Sequence, residues 1–250
     1  MTTDDGYAPV LTTKTRKGRF SAPMAARMCR ARKHSARVVL ALPGAHRYPF
    51  QDGSIADMAR RAARVGGFLS GTPLLDSWIY TSTAHRVPPL DVRSPQRWIG
   101  DWAALPKESL LPRDGEPRNL LLRNADEFSL FGPEDAAAAI NEISRGVFDD
   151  GEPTLVLFFV YALRSEGTHL ASALDGAAGK NVFWQFFGDT SDGGSALSHL
   201  DALRAEAPHI RNVGLYNGWD RIQETPEYLF YRGVLGPFAR WQARRSPSTA

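Results

Sequence analysis

The sequence predicts an α/β protein: a doubly wound, mostly parallel sheet flanked by helices, behind a basic N-terminal arm. Three observations predict it. Apolar and amphipathic segments alternate along the chain, with connections long enough to cross over a sheet. The strongest apolar segments run continuously instead of alternating with polar residues, as strands covered on both faces do. The chain has 250 residues, 43% hydrophobic and 23% charged, which suffices to bury one core of that kind and excludes a wholly disordered or collagen-like chain. The expected organisation is an arm over 1–35, partly disordered or extended, and one domain over 36–246.

The first strand is expected from Arg37 to Leu42, stopped by Pro43-Gly44. A helix follows from Ser54 to Phe68. Ile55, Met58, Ala59, Ala62, Ala63 and Val65 keep helical spacing there, with Arg60, Arg61 and Arg64 opposite. Ser54 can cap its start and Gly66-Gly67 can end it. Leu74 to Tyr80 reads as a second strand. The proline-rich stretch 81–132 allows a short helix from Pro95 to Ala104, with Pro95 in its first turn, and a short strand from Asn119 to Arg123. Pro133 to Ser144 reads as a helix with Glu134 and Asp135 near its positive end. Thr154 to Ala162 is the strongest strand and takes a central parallel position. A helix from Thr168 to Ala178, a strand from Asn181 to Phe187, a helix from Ser195 to Glu206, a strand from Ile210 to Tyr216 and a helix from Thr225 to Arg244 complete the series. Ligands of such sheets sit outside the carboxyl ends of the strands. Those ends fall near Leu42 to His46, Tyr80 to Thr83, Tyr161 to Arg164, Gly188 to Asp192 and Asn217 to Trp219.

Charge is unevenly distributed. The net charge is +3, yet Gly6 to Gln51 holds ten basic residues and no acidic one, while 20 basic and 25 acidic residues follow from Asp52 onward. Lys14, Arg16, Lys17, Arg19, Arg30, Arg32 and Lys33 make the arm a candidate for nucleic acid or an acidic partner through counterion release. The arm lacks the interleaved aromatics of a base-stacking surface, which leaves a solvated leader as the plainer reading. A single cysteine, Cys29, excludes a disulfide scaffold. The longest apolar run, Thr154 to Leu163, is about half the roughly 20 residues that span a bilayer. No membrane span and a cytoplasmic location are expected.

The chain has no G-x-x-x-x-G-K-[ST] phosphate loop, no G-x-G-x-x-G dinucleotide turn and no G-x-S-x-G nucleophile elbow. The six histidines are scattered singly, which excludes the spacing of a zinc site. Asp189 and Asp192 flank a strand end and could offer oxygens to a hard cation, or simply form the turn. An unrecognised metal-dependent hydrolase would draw on Asp189, Asp192, His46 or Glu134, but their spacing singles out no reaction. No catalytic residue is assigned.

Five segments in collinear order carry a resemblance. They are Leu75 to Tyr80 (L-D-S-W-I-Y), Asn181 to Gly188 (N-V-F-W-Q-F-F-G), Leu197 to Leu203 (L-S-H-L-D-A-L), Arg211 to Tyr216 (R-N-V-G-L-Y), and Glu227 to Tyr231 continuing through Gly236 to Trp241. Together they resemble the von Willebrand factor A (vWA) domain of the bacterial tellurium-resistance type, whose second strand reads L-D-V-W-x-F. The resemblance covers about 37–244 and implies a Rossmann-like vWA fold.

It also implies where a divalent ion would be held. In that family the first strand ends in D-x-S-x-S, a second loop supplies Thr, and a third supplies Asp from T-D-G. Here Ala41, Pro43 and Ala45 stand at the three oxygen-donor positions of the first motif, around Gly44 at the family's central glycine. The second loop reads Gly132-Pro133-Glu134-Asp135, without Thr, and the third reads Val160-Tyr161-Ala162. A methyl group or a proline ring offers a hard cation no oxygen. The resemblance therefore implies a degenerate metal site, with Ala41, Pro43, Ala45, Pro133 and Tyr161 at the altered positions. No cofactor is expected; Mg²⁺ is the lesser alternative, for which Glu134 or Asp135 would have to rebuild a site with Asp189, though no spacing demands it.

The expected function is a non-catalytic adaptor that binds another protein without a metal, in tellurium-resistance or stress-response systems. The expected contact edge is His46, Arg47, Tyr48, Phe50, Tyr161, Asp189 and Asp192. Tyr and Arg suit an interface, and packing of Tyr48 and Phe50 against the loop is the competing expectation. A nucleic-acid-associated adaptor working through the arm is the alternative.

Overall fold

The computed structural model describes residues 21–105, 119–147, 151–160, 167–188, 196–218 and 221–245. Among them, a six-stranded sheet is built from β1 (Arg37–Pro43), β2 (Leu74–Tyr80), β3 (Ala84–Asp91), β4 (Thr154–Phe159), β5 (Val182–Gly188) and β6 (Val213–Asn217). The strand order is β3-β2-β1-β4-β5-β6. All pairings are parallel except the β2–β3 hairpin at the edge. The helices are α1 (Ser21–Met28), α2 (Tyr48–Gln51), α3 (Ser54–Leu69), α4 (Pro95–Trp102), α5 (Leu120–Arg123), α6 (Ala136–Gly146), α7 (Gly167–Ala178), α8 (Ala196–Glu206) and α9 (Glu227–Arg245).

The sheet is covered on both faces, which is why its strands read as continuous apolar runs. β4 and β5 are buried along their whole length. One face packs Leu40, Leu42, Leu155, Leu157, Phe159, Phe183 and Phe187 against apolar residues of α1, α3, α4 and α9. The other packs Val39, Ala41, Trp78, Tyr80, Val156, Phe158, Trp184 and Phe186 against α6, α7 and α8. This is the doubly wound architecture expected from the sequence.

Four elements differ from expectation. Asn119 to Arg123 is not a strand. Asn119 caps the short helix α5, its side chain accepting from the Leu122 backbone N–H at 3.0 Å and donating to the Ala104 carbonyl at 2.5 Å. α6 starts at Ala136, not Pro133, because the Asp135 carboxylate caps the Ala138 N–H at 2.8 Å and holds 133–135 outside the helix. The edge strand β3 went unread because Pro88 and Pro89 lie within it, and proline is tolerated only where a strand needs no donor.

The fourth concerns the arm. Residues 21–35 are not extended: α1 lays Ala22, Ala25 and Ala26, all buried, against α9. The chain then returns to the sheet through hydrogen bonds from the His34 and Ala36 N–H groups to the Phe68 and Leu69 carbonyls. Residues 1–20 lie outside the described set.

Candidate functional site

The carboxyl ends of β1, β2 and β4 meet at one edge of the sheet. β1 ends at Pro43, and the chain turns at Gly44. Its N–H donates to the Tyr80 carbonyl at 2.7 Å, and its own carbonyl accepts from the Phe131 N–H at 2.9 Å. A Cβ here would lie 2.9 Å from Leu130 Cδ2 and 3.0 Å from Thr81 Cγ2. Any side chain here would press on the methyl groups of Leu130, Thr81 and Ile79, so glycine lets these segments approach closely, independent of any backbone strain. Thr81 is fully buried and donates through Oγ1 to the Phe128 carbonyl at 2.7 Å, fixing the 128–131 turn over the end of β2. Ser129 and Phe131 in that turn adopt left-handed backbone angles.

Tyr80 spans this edge. Its side chain shares a face with Ala41 and Phe158, and its ring stacks on Phe158 with centroids 4.8 Å apart. β1 lies between β2 and β4, with Pro43 opposite Tyr80 and Ala41 opposite Phe158, so the ring reaches diagonally across β1 to stack on Phe158. Its hydroxyl lies 2.5 Å from the Phe159 carbonyl oxygen and 2.9 Å from Glu134 Oε1. The hydroxyl therefore links β2, the last residue of β4 and the turn before α6. Burial, then the Glu134 charge, then the hydrogen bond to it raise the Tyr80 phenol well above its ordinary value near 10.

The described residues of this edge offer little to a cation. Ala41 is fully buried and Ala45 nearly so, and neither they nor Pro43 carry a side-chain oxygen. Glu134 receives Tyr80, and Asp135 caps α6. Among the described residues, no group of three or more His, Cys, Asp and Glu side chains is gathered for a metal. These residues do not fit an ion that needs a shell of oxygens.

What the edge presents outward is aromatic and cationic. Tyr48, first residue of α2, is 66% exposed. Arg47 holds its guanidinium 4.7 Å from the centre of the Phe131 ring, and His46 is half-buried beside it. Phe50 corrects the sequence reading: it is 1% exposed and belongs to the core, so it is unavailable to a partner. Tyr161, Asp189 and Asp192 lie outside the described residues, as do Lys14, Arg16, Lys17 and Arg19. Arg30, Arg32 and Lys33 are exposed but lie near the amino end of β1. β1 separates them from Tyr48 by seven residues, about 20 Å of strand. The structure thus brings His46, Arg47, Tyr48 and Glu134 to one edge and leaves Arg30, Arg32 and Lys33 at the other.

Sequence reasoning passed over Tyr80 as a mere strand terminus. The signal was present: in the resembled L-D-V-W-x-F strand this position is Phe, and only tyrosine adds a hydroxyl.

Comparisons with known proteins agree with this geometry. The family model of the vWA domain found in the TerF C terminus matches residues 34–248. An uncharacterized protein of Bacillus subtilis (strain 168), YcbR, is 23% identical over 213 residues, covering 84% of this chain and 78% of its own. Among solved structures, a mussel byssus protein, proximal thread matrix protein 1 with a zinc-occupied MIDAS motif, aligns with a TM-score of 0.51 at 6% identity over 83% of this chain; the chain spans 48% of its length. An aerotolerance-related membrane protein from Bacteroides fragilis aligns with a TM-score of 0.50 at 9% identity, over 82% of this chain and 99% of that one. The last two likenesses concern the fold alone.

Proposed function

Because the chain belongs to the vWA-TerF-like family, we propose that it is a non-catalytic module that binds another protein at the carboxyl edge of its sheet, without a divalent ion. The observation that carries this reading is the pairing, at one edge, of positions without side-chain oxygens and an exposed aromatic anchor beside a half-buried cation. Ala41, Pro43 and Ala45 offer no oxygen, while Tyr48 stands out beside the Arg47–Phe131 pair. Tyrosine and arginine supply large contact areas and are common energetic centres of interfaces. Tellurium-resistance or stress-response systems are the setting that the family suggests. No described helix is long and apolar enough to cross a membrane.

The test is capture of partners from cell extract with the intact chain and with an Arg47→Ala/Tyr48→Ala variant, each with and without EDTA. The same partner retained in EDTA and lost in the variant supports the reading. A partner released by EDTA would contradict it.

A second reading, a nucleic-acid-associated adaptor, draws support from the exposure of Arg30, Arg32 and Lys33 at the opposite end. Binding to DNA or RNA would then fall steeply with salt. Affinity unchanged between about 50 and 200 mM salt would count against it.

A further inference from the structure

We propose that the outer face of α1, with the start of α9, receives an acidic amphipathic helix of a partner protein. Among the described residues five large hydrophobic side chains are strongly exposed, and three of them lie here: Met24 at 53%, Met28 at 62% and Leu229 at 51%. The solvent face of a surface helix is normally polar. α1 does the reverse at two positions one turn apart, because its small residues Ala22, Ala25 and Ala26 face inward.

The apolar residues form one patch. Met24 and Met28 are four residues apart and so stand in a row on α1. Tyr228 of α9 reaches that row, its hydroxyl 2.9 Å from the Met28 sulfur. At about 100° per residue, Tyr228, Arg232 and Leu229 fall within one arc of α9. Cys29 touches the same arc through the Arg232 carbonyl at 3.8 Å. α1 is eight residues long, about 12 Å, which matches two turns of an opposing helix.

The border of the patch gives the sign of the partner. Arg27, Arg30, Arg32 and Lys33 are exposed along and just after α1, and Arg232 and Arg240 are exposed on α9. Residues 21–36 contain no acid, and α9 contains one, Glu227, which is already bonded to Arg64. An apolar stripe flanked by carboxylates is the complement of this surface. Unbranched methionines adapt to varied side chains, which suits a helix laid into a shallow groove. The apolar stripe favours protein over nucleic acid, for which the patch supplies cations but a single ring, Tyr228. This surface is separate from the His46–Tyr48 edge, and its test uses no cation.

The full chain is titrated with a synthetic helix carrying Leu at i, i+3, i+4 and i+7 and Glu elsewhere, while the methionine methyl signals are followed by NMR. A scrambled peptide of equal charge, a single-stranded DNA 20-mer and phosphatidylglycerol vesicles are the comparison probes. Met24 and Met28 are expected to shift while buried Met58 stays fixed. The scrambled peptide, and the intact peptide on a Met24→Ser/Met28→Ser variant, are expected to bind at least tenfold more weakly. Both substitutions are at exposed positions, and a matching Tm checks that the variant folds. Equal binding of the scrambled peptide would reduce the surface to unspecific charge. Tighter binding of DNA or vesicles would assign it to those partners instead. Unmoved methionine signals would overturn the proposal outright.

Discussion

The Tyr80 hydroxyl has one proton and two acceptors in reach, the Phe159 carbonyl and the Glu134 carboxylate. Tyr80→Phe keeps the stacked ring and deletes only the link. It is expected to lower stability by about 1–3 kcal/mol, the penalty for buried groups that lose a partner, read as a lower urea midpoint at neutral pH. The folded pKa of Tyr80 lies above its unfolded value. Its stabilisation is therefore complete below about pH 10 and is lost as pH rises toward the folded value. The difference between wild type and Tyr80→Phe should accordingly shrink above pH 10, and a constant difference would count against the link. Gly44→Ala forces a methyl group against Leu130 and Thr81; about 1–3 kcal/mol of destabilisation is expected from such overpacking. Tyr48 and Phe50 show why sequence separates surface from core poorly at this scale. Both follow the first strand and both are aromatic, but they sit two residues apart in a helical turn and so point to different sides.

Among the elements, the long apolar strands and the amphipathic helix α3 were legible because burial imposes their pattern directly. β3 was not, because an edge strand carries prolines that a buried strand excludes. α5 was not, because its existence depends on the Asn119 cap rather than on any periodicity. α1 was hidden by charge: seen from composition it is part of a basic arm, while its three alanines reveal their role only once α9 lies against them. Removing residues 1–35 is therefore expected to lower the Tm by several degrees, since it uncovers α9. A truncation that left the Tm unchanged would refute the packing of α1. Loss of the α6 cap in Asp135→Ala is expected to cost about 1 kcal/mol, measurable as a shifted denaturation midpoint.

At the scale of the whole molecule, the two exposed surfaces are built differently. The carboxyl edge of the sheet is a junction of three strands tied by hydrogen bonds at Tyr80, Thr81 and Gly44. The α1–α9 face is a helix surface with adaptable side chains. The fold was readable from the sequence because a core of this size leaves its imprint on many residues. At the carboxyl edge the expectation rested on residue types alone, the absence of side-chain oxygens at Ala41, Pro43 and Ala45, whereas the tie that crosses the edge left no local pattern, since it joins Tyr80 to Glu134, 54 residues away. The most direct measurement is thermal unfolding in millimolar Mg²⁺, Mn²⁺ or Zn²⁺ against EDTA. A ligand that binds only the native state must raise stability. Melting temperatures that agree within about a degree are expected, and a rise of several degrees with any one of these ions would contradict a metal-free edge.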